Sequence, residues 1–191
     1  MRLLLHCCCG PCATEVADHF RTLGDEVVGW FFNPNIYPER ERRQREQTLA
    51  EAAARIEMPL LPPGPGMTLE EFLAALARPG GVRCGVCYQL RLEATAREAA
   101  ARGFVAFSTT LLISPYQDME AIREIGLRAG ERHGVLFRFE DLREHYPDSC
   151  NRARAMALYR QSYCGCLFSA LERAERRSRR AIAKIRKQQA A

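Results

Sequence analysis

Apolar residues along the chain alternate between short continuous runs and stretches in which they recur every three to four positions. The first run, Leu3 to His6, predicts a strand. The next apolar positions mark one face of a helix that Gly24 can end, and they are Ala13, Val16, Ala17, Phe20 and Leu23. A β-rich run over Glu26 to Phe32 predicts a second strand, and the sequence NPNIYP after it favours a turn-forming loop.

The alternation continues through the rest of the chain. A charged helix is predicted over roughly Glu39 to Glu57, the sequence PPGPG favours a loop, and Thr68 followed by Glu71 is typical of a capping box. Two further strands and the helix between them are predicted at Phe104 to Thr109, near Asp118 to Arg132, and at Val135 to Phe139. This order of elements predicts an α/β fold, a parallel sheet flanked by helices on both faces.

Length and composition favour one domain in a reducing compartment. The chain has 191 residues and no long linker, so we expect a single domain over residues 1–191 whose core needs no disulfides. The apolar start is too short for a signal peptide, and no later stretch approaches a membrane span, so we expect a cytoplasmic protein without a membrane partner. In the cytoplasm, its nine cysteines favour metal ligands or redox groups over structural bridges.

Positive charge is concentrated at the C-terminal end. Residues 170–191 carry eight basic and two acidic side chains, whereas the whole chain has a formal charge of +5. The pattern over about 167–191 predicts an amphipathic helix with a basic outer face, and its apolar positions are Leu167, Leu171, Ala174, Ala181, Ile182 and Ile185. Such a face is often merely solvated, but a concentrated basic patch also suits contacts with RNA phosphates.

A dense group of thiols directly follows the first predicted strand, in the sequence LLLHCCCGPC. The cysteines occupy the loop at the carboxyl end of that strand, where α/β proteins usually bind ligands, and Pro11 suits the first turn of the next helix. Backbone N–H groups and the positive end of the helix dipole favour thiolates there. The loop is therefore a candidate site for anions or metal-bound thiolates.

Two further cysteine pairs lie later in the chain. Cys84 and Cys87 are three residues apart, so a helix would present both sulfurs on one face, which Arg91 continues. Zinc could join this pair to the first group, but adjacent thiols and more than four of them favour an iron–sulfur cluster. Cys164 and Cys166 flank one glycine, and they could form a small, easily reduced disulfide ring or remain packed or metal-binding thiols.

Five motifs together resemble the QueH-type epoxyqueuosine reductases, in the same order and over nearly the whole chain. They are HCCCGPC, FFNPNIYP, RCGVCYQLRL, STTLLISPYQD and LYRQSYCGCLFS. The resemblance implies a tRNA-modifying enzyme that reduces epoxyqueuosine in the anticodon loop to queuosine, the last step of queuosine biosynthesis. Two electrons are consumed and the epoxide oxygen leaves as water. The resemblance also implies a fold related to the PP-loop nucleotide-binding proteins.

The resemblance assigns roles to seven cysteines. It implies that a [4Fe-4S] cluster is held by Cys8, Cys9, Cys84 and Cys87. Cys12 matches the first motif and is a candidate ligand for an additional iron, and Cys164 with Cys166 matches the family's redox-active pair. The remaining two, Cys7 and Cys150, are interpreted as structural.

Other polar residues are candidates for proton transfer or substrate binding. Asp118 follows the predicted third strand, and it could ligate iron or donate a proton, or simply cap the next helix. His6 is interpreted as a hydrogen-bonded residue at a strand end, because enough thiolates are already present. Three residues are candidates for contacts with the tRNA, through stacking or hydrogen bonds to base or phosphate: Tyr37, Arg160 and Gln161.

Two other functions compete with this interpretation. A PP-loop iron–sulfur tRNA sulfurtransferase would use ATP, but cysteines occupy the place of its glycine- and serine-rich phosphate loop. A non-catalytic zinc module could bind RNA through the C-terminal helix, and it would contain no acid-labile sulfide. Since the sequence has no dinucleotide fingerprint, we expect an external electron donor. The sequence leaves the oligomeric state open.

Overall fold

A four-stranded parallel sheet forms the centre of the computed structural model, which describes residues 1–78 and 82–189. The spatial order of the strands is β2-β1-β3-β4. Their bounds are β1 (Arg2–His6), β2 (Glu26–Trp30), β3 (Ala106–Thr109) and β4 (Leu136–Phe137). Each of the three strand pairings is parallel, which confirms the predicted fold class.

Helices connect the strands and cover both faces of the sheet. Their bounds are α1 (Gly10–Thr22), α2 (Glu39–Arg55), α3 (Leu69–Leu76), α4 (Arg83–Ala101), α5 (Met119–His133), α6 (Tyr146–Ala155) and α7 (Leu167–Gln189). Short 3-10 helices occupy Thr110–Ile113 and Arg143–His145. The predicted capping box is confirmed at α3, where the Thr68 hydroxyl accepts from the Glu71 N–H and the Glu71 carboxylate accepts from the Thr68 N–H.

Alternation along β1 divides the core between the two faces of the sheet. Leu3 and Leu5 pack with α1 residues such as Val16, whereas Leu4 packs on the other face with α4 residues such as Leu92. These side chains are fully buried because successive residues of a strand point to opposite faces. The continuous apolar run of β1 is thus explained by its central place in a sheet that helices cover on both faces.

The carboxyl ends of the strands meet at one edge of the sheet. His6, the last residue of β1, lies in register with Trp30 of β2 and Thr109 of β3. The loops after these three strands therefore begin side by side, and they carry the first cysteine motif, NPNIYP and the segment that leads to Asp118.

Apolar positions on two of the predicted helix faces are exposed to solvent. Leu23 is 52% exposed, because α1 ends at Thr22 and the chain turns at Gly24 with a positive φ of 85°. The apolar stripe of α7 is also uncovered, since Ser169 is the buried residue of that helix and Leu171 is 58% exposed.

Among the helices of the described residues, none is both long enough and apolar enough to cross a lipid bilayer.

Candidate active site

Three thiols form a compact group where β1 leads into α1. The sulfur atoms of Cys8, Cys9 and Cys12 all lie within 4.8 Å of one another. Cys9 is the N-cap residue of α1, and Gly10 begins the helix directly against α2. A Cβ at Gly10 would lie 2.5 Å from the Thr48 carbonyl oxygen, so only glycine allows this close approach. The sequence thereby brings the thiols to the N-terminus of a helix, where thiolates are stabilised.

Hydrogen bonds within the group favour one thiolate. Bonds from the thiols of Cys12 and Cys9 lower the pKa of Cys8 well below its usual range, despite burial, and Thr110 adds a bond at 3.3 Å. The bond with Cys12 lowers the pKa of Cys9, but its bond to Cys8 together with burial outweighs this and raises the pKa to about 12. The same bonds raise the pKa of Cys12. The arrangement suits a metal, which binds thiolates.

The second cysteine pair lies in the first turns of α4. Cys84 is exposed and Cys87 is half-buried. Burial raises the pKa of Cys87, although the nearby Arg91 guanidinium and Asn35 amide act to lower it. Arg91 is buried, and its Nη2 donates to Asn35 Oδ1 at 3.0 Å. The charge of Arg91 also acts to lower the pKa of Cys164, so the guanidinium lies near thiols from two separate elements.

The third cysteine pair lies just before α7. Cys164 and Cys166 are free thiols whose sulfur atoms are 3.6 Å apart, and all nine cysteines of the chain are free. A hydrogen bond from Cys166 lowers the pKa of Cys164 to about 5, and a bond with the Ser169 hydroxyl supports this shift. The same thiol–thiol bond raises the pKa of Cys166. One member of the pair is thus poised as a nucleophilic thiolate.

Buried polar atoms without hydrogen-bond partners lie beside the thiols of the first two cysteine groups. Gln161 donates its Nε2–H to the Cys9 sulfur at 2.9 Å, while its Oε1 has no hydrogen-bond partner among the described residues. Among the described residues, no atom meets both the distance and the angle of a hydrogen bond with Asn35 Nδ2. Unsatisfied buried polar atoms are costly, so their presence beside a thiol group fits a site that holds a further polar or charged species.

Cys84 and Cys87 lie outside the compact group that contains Cys8. The compact group could therefore hold a metal by itself, and Cys84 and Cys87 form a separate thiol pair.

Two predicted interpretations of polar residues are confirmed. His6 is fully buried, with Nδ1 bonded to the Thr109 hydroxyl at 2.8 Å and Nε2 to the Phe32 carbonyl at 3.0 Å. Burial lowers the pKa of His6 to about 4, so the ring is neutral. Asp118 caps α5, since its Oδ1 accepts from the Ala121 N–H at 3.1 Å. Capping is the alternative that the geometry favours for this carboxylate.

The three candidates for tRNA contact differ in their surroundings. Arg160 is exposed at the surface. Tyr37 is half-buried and its hydroxyl donates to the Met67 carbonyl, while Gln161 is engaged with Cys9. The structure thus leaves Arg160 as the most accessible of the three.

Some residues at the site gave no distinguishing signal in the sequence. Arg45 is one of several arginines in a charged helix, yet it is buried and hydrogen-bonded to the backbone beside Cys164. Thr110, which contacts Cys8 through both a backbone and a sulfur hydrogen bond, lies 102 residues away in the chain. Only the fold brings such residues to the thiols. Asn35 could have been noticed, because it lies in the NPNIYP motif.

Comparison with known proteins gives consistent matches. Residues 3–172 match the family model described as "Epoxyqueuosine reductase QueH". Two curated proteins with that name are similar along most of their length. The one from Dehalococcoides mccartyi is 35% identical, covering 90% of this chain and 94% of the relative. The one from Thermotoga maritima is 34% identical, covering 91% and 93%.

A solved structure shows the same fold. It is described as a predicted subunit of tRNA methyltransferase from Methanocaldococcus jannaschii, with a TM-score of 0.50 and 13% sequence identity. The match covers 81% of this chain and 74% of the other. It supports the α/β architecture derived above.

Proposed function

Since the chain belongs to the epoxyqueuosine reductase QueH family, we propose that it reduces epoxyqueuosine in a tRNA anticodon loop to queuosine. The observation that carries this proposal is the family match over residues 3–172, together with the group of Cys8, Cys9 and Cys12 at the carboxyl end of β1. The PP-loop sulfurtransferase is not favoured, because cysteines occupy the loop after β1. The zinc module is not favoured either, since the curated relatives are named as reductases.

We propose that Cys8, Cys9, Cys84 and Cys87 hold a [4Fe-4S] cluster and that Cys12 lies ready to hold an additional iron. When bound, such a cluster supplies electrons one at a time and a Lewis-acidic iron that can polarise the epoxide oxygen. Within the protein, Cys8 provides a thiolate and Gln161 donates a hydrogen bond to Cys9. The buried Arg91 offsets the negative charge that several thiolates bring together.

We propose that Cys164 and Cys166 provide a second route by which the two electrons of one turnover can be supplied. Reduction of the epoxide to an alkene consumes two electrons and two protons and releases one water. Oxidation of two thiols to a disulfide releases two electrons and two protons, so the pair balances one turnover. An external reductant must then restore the thiols. The low pKa of Cys164 supports this role, because thiolates carry out disulfide exchange.

Binding of the tRNA is proposed to involve Arg160 at the mouth of the site and the basic face of α7. Tyr37 and Gln161 remain candidates for contact with the modified base, and Asp118 for proton donation. The carboxylate of Asp118 would have to serve while it caps α5. We propose that the chain acts as one domain in the cytoplasm, where its tRNA substrate is found.

Metal and sulfide analysis of anaerobically purified protein tests the cofactor. We expect about four irons and four sulfides per chain from the cluster, with about one further iron where Cys12 holds it, and we expect the double variant Cys84→Ser, Cys87→Ser to lose the cluster. Cys150→Ser is the matched control, because Cys150 lies outside the proposed ligand set and should retain the cluster. Full occupancy in the double variant would overturn the ligand assignment, and zinc without sulfide would overturn the reductase.

Activity on the substrate tests the function separately. Anaerobic incubation of the loaded protein with epoxyqueuosine-containing tRNA and a reductant should yield queuosine, detected by mass spectrometry of the digested nucleosides. ATP hydrolysis that depends on tRNA, with no loss of the epoxide, would instead indicate the sulfurtransferase.

A further inference from the structure

Arg45 is a buried arginine to which the proposed chemistry assigns no role. It lies in α2, and its Nε donates to the Glu41 carboxylate, one turn earlier, at 2.8 Å. Its side chain is 2% exposed, whereas that of Arg43 on the same helix is 73% exposed. A buried guanidinium needs partners for its other N–H groups. Those partners lie in residues 158–166, here called the Cys-Gly-Cys loop.

The guanidinium fastens the Cys-Gly-Cys loop to α2. Nη1 donates to the Cys164 carbonyl at 3.0 Å and Nη2 donates to the Tyr163 carbonyl at 3.0 Å. The guanidinium carbon also lies 5.2 Å from the centre of the Tyr163 ring, a cation–π contact. Because one planar fork binds two successive carbonyls, it fixes the peptide orientation directly at the first thiol of the pair.

Neighbouring tyrosines extend this attachment. The Tyr159 hydroxyl donates to the same Glu41 carboxylate at 2.8 Å. The Tyr163 hydroxyl donates to the Tyr37 carbonyl at 2.6 Å, and the Tyr37 N–H donates to the Gly165 carbonyl at 2.8 Å. The loop is thus held before, at and after Cys164 by the segment that begins α2.

The glycine between the thiols is required by this arrangement. Gly165 has a φ of +116°, which side-chain-bearing residues rarely adopt. A Cβ there would lie 2.8 Å from Ile36 Cγ1 and 3.1 Å from Arg45 Nη1. The close approach of loop and guanidinium therefore depends on both residues.

We propose that Arg45 is a positioning residue for the thiol pair, and that it keeps Cys164 and Cys166 adjacent so that they form a disulfide readily. This inference rests on the proposed redox role of the pair. Oxidation by an external disulfide forms the Cys164–Cys166 bond and releases two thiols from the oxidant. A loop that is already ordered loses less conformational entropy in this step.

The test measures the thiol–disulfide equilibrium of the pair without any turnover. Protein equilibrated in glutathione buffers is alkylated and digested with trypsin. Cleavage after Arg160 and Arg173 releases residues 161–173, which contain Cys164 and Cys166 as their only cysteines. Mass spectrometry then gives the oxidised fraction directly, because the disulfide form lacks two alkyl groups.

Arg45→Met should lower the equilibrium constant for disulfide formation about tenfold, which is about 30 mV for a two-electron couple. The equilibrium constant of Arg45→Lys should lie between those of Arg45→Met and the wild type. Lysine keeps the charge beside Glu41 but cannot bind both carbonyls in one plane. Arg43→Met is the matched control, because Arg43 is paired with Glu39 at the surface, and it should leave the equilibrium unchanged.

A folded Arg45→Met protein with the wild-type equilibrium would overturn the inference. If that variant does not fold, Glu41→Gln provides the test, since it keeps the shape of the side chain but weakens the hold on Arg45, and an unchanged equilibrium would again contradict the proposal. Failure of the redox role has a different signature. Cys164→Ser would then retain multiple turnover, whereas the glutathione equilibrium of the Arg45 variants would still report on positioning.

Discussion

In the Cys-Gly-Cys loop, two thiols in close contact have different pKa values. The bond between them favours the thiolate at Cys164 and disfavours it at Cys166. This asymmetry is what disulfide exchange uses, because one thiol attacks while the other resolves the mixed disulfide.

Serine at either position of the pair tests its role. We expect Cys164→Ser and Cys166→Ser to retain the iron and sulfide of the wild type, because neither thiol is a proposed cluster ligand. We also expect both variants to lose multiple turnover with epoxyqueuosine tRNA, measured as queuosine formed per enzyme. Loss of iron from either variant would instead make that thiol a ligand.

At the scale of single residues, the sequence predicted the roles of residues better than it predicted which residues contact one another. The hydrogen-bonded His6 was predicted, and capping was one of the roles considered for Asp118, since both follow from local position in the sequence. The bond from Gln161 to Cys9 could not be predicted, because 152 residues separate the two. The fold determines such contacts, and no periodic pattern records them.

Among the elements, the junction of α1 with α2 supports the first cysteine motif. The two helices approach so closely that Gly10 touches the backbone of Thr48. The four strands and most of the helices were predicted because burial imposes clear periods on them, whereas α6 was not predicted. The predicted helix at α7 is present, but its apolar stripe is exposed, because a helical period shows which face is apolar and not whether another element covers it.

Gly10→Ala should destabilise the protein by about 2 kcal/mol, because the new methyl group would overlap the Thr48 carbonyl and push α1 from α2. The free energy of unfolding in urea measures the effect. Gly85→Ala is the control in α4, where the nearest heavy atom to an added Cβ is 4.0 Å away. That variant should be unchanged or more stable by up to about 1 kcal/mol. Equal destabilisation of the two would contradict the packing argument.

The contact between α4 and α5 contains an ionic link with a defined pH dependence. Glu93 accepts from His133 at 2.8 Å and pairs with Arg132 at 2.9 Å. Burial acts to raise the pKa of Glu93, but the bonds from these two residues outweigh it and lower the pKa below the usual 4.5. Its stabilising effect is therefore present above the unfolded pKa and is lost as pH falls through the folded pKa.

Glu93→Gln should lower the free energy of unfolding at pH 7 by about 0.5 to 1 kcal/mol. It should also weaken the loss of stability in acid, because the link no longer titrates below about pH 4.5. Urea unfolding from pH 7 to pH 3 measures both effects. Glu124→Gln, which breaks an exposed pair with Arg128, should keep the wild-type acid dependence. An unaltered pH profile in Glu93→Gln would refute the link.

Across the whole molecule, charge and family similarity divide the chain at nearly the same point. The family match ends at residue 172, and all eight basic side chains of α7 follow that residue. The remainder of the chain is close to neutral, so α7 concentrates the positive field of the protein. Because the apolar stripe of this helix is uncovered as well, α7 is exposed along most of its length. This arrangement suits contact with the phosphates of a tRNA.

Replacing Arg176, Arg177, Arg179 and Arg180 with glutamine should therefore weaken tRNA binding and leave the iron and sulfide content unchanged. Each lost phosphate contact should reduce the slope of log affinity against log salt by about one unit, so the change counts the arginines that touch RNA. Binding titrations at several salt concentrations measure it. The matched control replaces four exposed arginines of α4, its C-cap and α5, namely Arg97, Arg102, Arg123 and Arg128. If both variants keep the wild-type slope, the basic face of α7 is merely solvated and the tRNA docks elsewhere, with the exposed Arg40 and Arg43 of α2 the next surface to test.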